Sequence, residues 1–160
     1  MAIASSRMPA GNRSEPFTGF FEGSKQVEAH PTQPPRGHEA MVRTLAMPKD
    51  TNGLGDIFGG WLMSHADIAG AIHAFKRAGG RVVTVAVNEF RFLQPVFVGD
   101  VVSFYTDVSR VGNTSLTMDV TVYAERSGEP IGNHVLVSTA QITYVHVGDD
   151  RKPRQVPPDK

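Results

Sequence analysis

The sequence predicts an α+β protein in which one long helix packs against an antiparallel sheet. Three observations carry that reading. Between about Ile57 and Ala78, Trp61, His65, Ile68, Ile72 and Phe75 recur at spacings of four and three, which is one helical stripe. Four strand-like runs follow. Short turns join them, and successive strands joined by short turns pair antiparallel.

Taken in order, residues 1–37 are rich in Pro, Gly, Ser and charge, and Pro31, Pro34 and Pro35 punctuate their end. They read as a flexible extension with local order around Phe17, Phe20 and Phe21. The folded unit is expected over 38–148, with an irregular, charged tail at 149–160 carrying Pro153, Pro157 and Pro158. Ala40 to Met47 is a short apolar stretch ended by Pro48. The segment after it is turn-rich, with Asp50, Asn52, Gly53 and Gly55. Asp56 is placed to cap the helix that follows, and Gly79-Gly80 ends it. The strand runs are Arg81 to Leu93, Val101 to Val111, Thr114 to Ala124 and Ile131 to Val147. In the third, Leu116, Met118, Val120, Val122 and Ala124 alternate with polar neighbours. Gly112-Asn113 and Ser127-Gly128 are hairpin signals between runs. A single helix must bury itself on one face of this sheet. Its surface is apolar widely enough to suit a helix wrapped by a curved sheet.

A chain of 160 residues fits one domain with a real core. Formal net charge is zero, so bulk charge gives no argument for nucleic acid as a partner. Cysteine is absent, which excludes disulfides, thiolate catalysis and cysteine metal sites. The first residues lack the apolar core of a signal peptide. Nowhere do about 18 apolar residues follow one another to span a membrane. The expectation is a soluble, cytoplasmic protein.

The most informative stretch runs from Thr51-Asn52-Gly53 through Gly59-Gly60-Trp61 to His65-Ala66-Asp67. With Arg43-Thr44-Leu45-Ala46-Met47-Pro48, Gly80-Arg81-Val82-Val83-Thr84-Val85, Phe92-Leu93-Gln94-Pro95, Val98-Gly99-Asp100-Val101 and Glu129-Pro130-Ile131-Gly132, it resembles the hotdog-fold acyl-CoA thioesterases of the YciA type. The resemblance covers roughly Met41 to Pro157. It implies a curved five-stranded antiparallel sheet wrapped around a central helix. It also implies a dimer with a continuous sheet, often assembled into a trimer of dimers. By similarity, Asp67 matches the catalytic carboxylate, Asn52 its polar partner in the preceding loop, and Gly59 and Gly60 the backbone donors that polarise the thioester carbonyl. Where many family members carry Gln, this chain has His65.

The residues themselves bear on that chemistry. Asp67 sits mid-helix with a flank of small residues, Gly60, Ser64, Ala71 and Ala74. Taken alone, such an aspartate is more often a solvated surface carboxylate. Gly59-Gly60 at a helix start offers unsatisfied amides to a carbonyl gaining negative charge, or merely lets the loop pack tightly. Eight residues separate Gly59 from Asp67, about 12 Å along a helix axis. One thioester cannot touch both in a single protomer, so a shared carbonyl requires a composite site at a dimer interface. Asp67 can activate water or attack the carbonyl, and Asn52 can orient water or substrate. Phe58, Thr84 and Ser115 are candidates for lining the acyl-CoA channel. Of Arg81, Arg91, Arg110 and Arg126, the last is the candidate for the CoA phosphates. No metal and no cofactor beyond the CoA of the substrate is expected.

Other readings find less support. Gly53-x-Gly55 has its third glycine one position late for a dinucleotide fingerprint. No G-x-S-x-G is present, and no H-x-x-x-H pair suggests a metal. His65, on the apolar stripe, reads as a packed histidine. A non-catalytic acyl-CoA sensor and a hotdog dehydratase or hydratase remain as alternatives, separable by assay of free CoA thiol.

Overall fold

The computed structural model describes residues 33–158. The expected order around Phe17, Phe20 and Phe21 lies outside the described residues. The elements are β1 (Val42–Leu45), a 3-10 turn (Pro48–Asp50), α1 (Gly59–Ala78), β2 (Val82–Phe92), β3 (Val101–Val111), β4 (Ser115–Glu125) and β5 (His134–His146). All strands belong to one antiparallel sheet in the order β1-β3-β4-β5-β2. Consecutive hairpins make β3, β4 and β5 a meander. The helix lies between two strands that end up on opposite edges of the sheet. It therefore crosses the whole face, and the sheet curls around it. Gly79 ends it in the left-handed region at φ 66.

The packing of that helix differs from the sequence expectation. The stripe from Trp61 to Phe75 is not its buried face. The buried residues are Leu62, Ala66, Ala69, Gly70, Ala74 and Ala78, and Ile68 and Phe75 remain 47% and 52% exposed. A helix inside a tight curl has room only for small side chains on the inner face. Its large apolar residues are displaced to the flanks, where hydropathy alone reads them as core. The sheet supplies the bulk instead, through Phe104, Leu116, Met118, Val120, Ile142 and Tyr144.

One contact shows how close the approach is. A Cβ on Gly70 would lie 2.3 Å from the hydroxyl of Tyr144. That hydroxyl, on a fully buried ring, donates to the backbone carbonyl of Asp67 at 2.9 Å. Burial, helped by the Asp67 charge, pushes the phenol well above its ordinary value. It therefore stays a donor at any physiological pH.

The described residues after Gly148 form no helix or strand, yet they are tied down. Val156 is buried in the core cluster, and its N–H donates to the Asn113 carbonyl at 2.8 Å. Arg77, near the helix end, donates to the Pro157 carbonyl at 2.8 Å.

Gly70→Ala is expected to destabilise the fold by about 1–3 kcal/mol despite the better helix propensity of alanine, because the added methyl overpacks the seam. Urea denaturation checks this. Adding Tyr144→Phe should recover part of the loss by removing the clashing oxygen. If Gly70→Ala alone matches wild type, the seam is looser than described.

Candidate active site

The loop before α1 is organised by Asn52. Its side-chain oxygen accepts from the amides of Leu54 at 2.8 Å and Asp56 at 3.2 Å, and its own amide donates to the Asp56 carbonyl at 2.7 Å. With the oxygen committed, the side-chain NH₂ is the group left to donate elsewhere. The loop is then pinned at its end. Ile57 donates to the Val96 carbonyl and Phe58 to the Asp50 carbonyl, both at 2.8 Å.

This pinning corrects the reading of Asp56 as helix cap. Thr51 and Ile57 form an isolated antiparallel bridge, which holds the chain extended past Asp56. Phe58 becomes the N-cap residue, with no side-chain cap. The first amides of α1, Gly59 and Gly60, have no partner among the described residues, whereas Trp61 donates back to the Phe58 carbonyl at 2.9 Å. Two open donors at the positive end of a helix suit an oxygen that gains charge. The glycines also leave room for two neighbouring rings. A Cβ on Gly59 would stand 3.1 Å from the Phe92 ring, and one on Gly60 would stand 2.8 Å from the Phe58 ring.

Asp67 is half-buried. Its Oδ1 accepts from the Thr84 hydroxyl at 2.6 Å, which leaves Oδ2 open. The carbonyl of the same residue is held by Tyr144. One residue is thus fixed from both β2 and β5.

These groups open into two separate clefts. Asn52, Gly59 and Phe92 line one of about 460 Å³. Asp67 lines another of about 970 Å³, with Ile68, Ala71, Ile72 and Val83. The structure therefore joins Asn52 with Gly59, and Asp67 with Thr84, but does not bring the two pairs together within one chain. Of the small flank expected beside Asp67, Ala71 lines its groove, whereas Ala74 is packed in the core.

The remaining candidates fall in different places. Phe58 is exposed with its ring against Gly60. Ser115 pairs with Val145 in the register that sets Leu116 opposite Tyr144. Since Tyr144 faces the helix, Ser115 points to the opposite face of the sheet, away from Asp67. Arg126 also departs from expectation. Its guanidinium pairs with Asp100, donates to the Pro95 carbonyl at 2.8 Å and stacks 4.8 Å from the Phe97 ring centroid. Asp100 is 2% exposed, and a carboxylate so buried demands a cation. That demand turns Arg126 inward, onto Asp100 and the Pro95 carbonyl. His65 is packed as read, its Nδ1–H donating to the Trp61 carbonyl at 2.8 Å. Sequence reasoning missed Gln94 in the Asn52 cleft, although Gln94-Pro95 stood in a quoted motif. It also missed the groove residues Lys76 and Arg151, which no pattern marks.

Comparison with known proteins shows the family. The sequence profile of the Thioesterase superfamily matches residues 54–131. The acyl-CoA thioester hydrolase YciA of Salmonella typhimurium is 51% identical over 124 residues, which are 77% of this chain and 92% of that protein. A hexameric thioesterase of Yersinia pestis superposes with a TM-score of 0.72 at 52% identity, over 75% of this chain and 97% of that one. An acyl-CoA hydrolase of Staphylococcus aureus, solved with butyryl-coenzyme A and coenzyme A, gives a TM-score of 0.68 at 32% identity, over 74% of each chain. This chain belongs to the hotdog-fold thioesterase superfamily, and within it to the YciA-type acyl-CoA thioester hydrolases. The Staphylococcus enzyme has also been solved with single Asn, Asp and Thr residues changed to alanine. The asparagine stands fifteen residues before the aspartate and the threonine seventeen after it, the spacing of Asn52, Asp67 and Thr84 here.

Arg126→Ala is expected to cost about 3–5 kcal/mol by leaving Asp100 buried without a partner. Arg126→Met with Asp100→Asn should cost clearly less. Thermal and urea unfolding of both variants check this, and equal losses would show that the charge pairing is not what matters. Asp56→Ala, with no cap to lose, should stay within about 0.5 kcal/mol of wild type.

Proposed function

We propose that this acyl-CoA thioester hydrolase works at a site shared between two protomers, in which Asp67 of one and the Gly59 and Gly60 amides of the other act on one thioester carbonyl. The observation that carries this is the separation of the two groups. They lie about 12 Å apart along one helix axis and open into different clefts.

The sheet edge supports the pairing. β2 is an edge strand of eleven residues. Val83, Val85 and Val87 are 47%, 55% and 46% exposed. An open, apolar edge of this length invites a further strand. Thr84 touches Asp67, and the Phe92 ring lies over Gly59. Two antiparallel β2 strands related by a two-fold near Asn88 set Thr84 of one chain opposite Phe92 of the other. That register carries Asp67 of each chain toward Gly59 of its partner and makes two equal sites. Three such dimers form the hexamer, in keeping with the hexameric relative.

The chemistry follows from the groups present. The amides stabilise the oxygen as the carbonyl becomes tetrahedral. The Asn52 NH₂ orients the carbonyl or the incoming water. Thr84 holds Oδ1 of Asp67, so Oδ2 takes a proton from water or bonds to the carbonyl carbon. Collapse expels the CoA thiolate, which takes up a proton. The thioester and water become the free acid and CoA thiol, and no cofactor or metal is required.

Asp67→Ala should lower turnover about 10²-fold or more with the fold retained. Near-wild-type release of CoA thiol would remove the residue from the mechanism. Single turnover in ¹⁸O-water separates the two routes. Direct attack by water always labels the first product molecule, so an unlabelled first product with ¹⁸O in Asp67 shows attack by the carboxylate and hydrolysis of the anhydride at its own carboxyl carbon.

The shared site is tested by mixing folded, inactive Asp67→Ala and Asn52→Ala proteins under subunit exchange. One of the two sites in each mixed dimer is then intact, and activity should rise toward a fraction of wild type. Mixed dimers that stay inactive would place both groups at one site within a chain.

A further inference from the structure

We propose that Gln94 and Asp56, on the cleft that holds Asn52 and Gly59, select acyl groups carrying a hydroxyl on the carbon β to the thioester carbonyl. The inference rests on the reading that the Gly59 amide polarises that carbonyl, and it adds a feature of the acyl group that the cleft recognises.

The composition of the cleft is the first argument. Much of its lining is apolar, and Ile57, Leu62 and Val96 within it are buried. Against these stand a few polar groups. The Gly59 N–H and the Asn52 NH₂ already have roles at the carbonyl. The Gln94 carboxamide and the Asp56 carboxylate have none. Both residues are half-buried, both line the cleft, and neither side chain has a partner among the described residues. A small number of placed polar groups in an apolar cleft is what gives a binding site its specificity.

Placement is the second. The Leu93 and Gln94 amides both donate to the Val137 carbonyl, at 2.9 and 3.3 Å, and Arg126 holds the Pro95 carbonyl at 2.8 Å. The backbone of Gln94 is thus held from both sides. Asp56 is held as firmly. Its amide donates to the Asn52 side chain at 3.2 Å, and its carbonyl accepts from the Asn52 amide at 2.7 Å. The next residue, Ile57, donates to the Val96 carbonyl at 2.8 Å. That bond ties together the two segments that carry Asp56 and Gln94. Phe92, two residues before Gln94, lays its ring over Gly59. The two free side chains therefore stand on either side of the space that an acyl group enters from the Gly59 amide.

Hydrogen-bond chemistry gives the third argument. The carboxamide NH₂ of Gln94 donates, and the Asp56 carboxylate only accepts. A hydroxyl is the substituent that satisfies both, accepting from Gln94 and donating to Asp56. An alkyl chain satisfies neither, and an oxo group has no proton for Asp56. On the α-carbon, a hydroxyl competes with the carbonyl oxygen for Gly59 and Asn52. The β-carbon is the nearest position that leaves those donors free. A site that bonds a hydroxyl in this way discriminates more sharply than an apolar wall does.

The R and S forms of 3-hydroxybutyryl-CoA test this, because they present the same atoms and nearly the same intrinsic reactivity. Wild type should favour one of them about tenfold in kcat/KM, the worth of about one hydrogen bond. Gln94→Leu, of similar volume, should bring that ratio close to one. Gln94→Glu, which keeps an oxygen but loses the donor, should do the same. Asp56→Asn should lower the ratio in part. Thermal unfolding identifies the variants that are folded, and either Gln94 variant suffices. A ratio near one in wild type overturns the proposal. So does a ratio that the Gln94 variants leave unchanged, which would make the carboxamide merely hydrated. Mixing Asp67→Ala with Asn52→Ala judges the carbonyl reading separately. Recovered activity with an unchanged ratio removes only the role of Gln94 and Asp56. No recovery with an unchanged ratio removes the carbonyl reading as well.

Discussion

The distance between helix and sheet is set where Tyr144 reaches across to the Asp67 carbonyl over Gly70. Around that contact the inner face of α1 must be small, and Ala66, Ala69 and Ala74 make it so. The same closeness pushes Ile68 and Phe75 to the flanks, where they border the Asp67 groove. A packing requirement thus produces the apolar walls of the groove. It also fixes the carboxylate, because the residue held by Tyr144 through its backbone is held by Thr84 through its side chain. The proposed role of Asp67 draws on this fixed orientation.

A second layer of support lies under the other cleft. Arg126 joins Asp100 to the Pro95 carbonyl, and Asp100 accepts from the Phe97 amide at 2.9 Å. The loop from Leu93 to Asp100 is thereby cross-linked, and its Val96 carbonyl takes the Ile57 amide at the entry to α1. The open amides of Gly59 and Gly60 stand on this frame. A buried charge pair remote from the chemistry therefore helps to aim the helix end.

Much of this was readable from the residues. Strand alternation and turn signals placed the four long strands to within a few residues, because each signal is local. The run from Asn52 to Asp67 identified the family. The buried face of the helix was not readable, because hydropathy assumes that large apolar residues seek the core, and here the curl of the sheet excludes them. Asp56 failed as a cap for a related reason. The pairing of Ile57 with Val96 is a tertiary contact that delays the helix by two residues. The pairing of Arg126 was not readable either, because its partner, Asp100, is distant in sequence. Only the fold shows that the pair is internal.

The strand order has a consequence for how the chain is made. β2 follows the helix directly, yet its pairing partner is β5, the last strand. During synthesis β3 and β4 can zip as soon as their hairpin emerges, since they are neighbours in sequence. β2 must wait until residues up to His146 are available, and loop closure over such a span is slow. Until then its valines and its backbone have neither neighbour. The nascent chain therefore carries this apolar segment unpaired from the emergence of Phe92 until β5 has emerged.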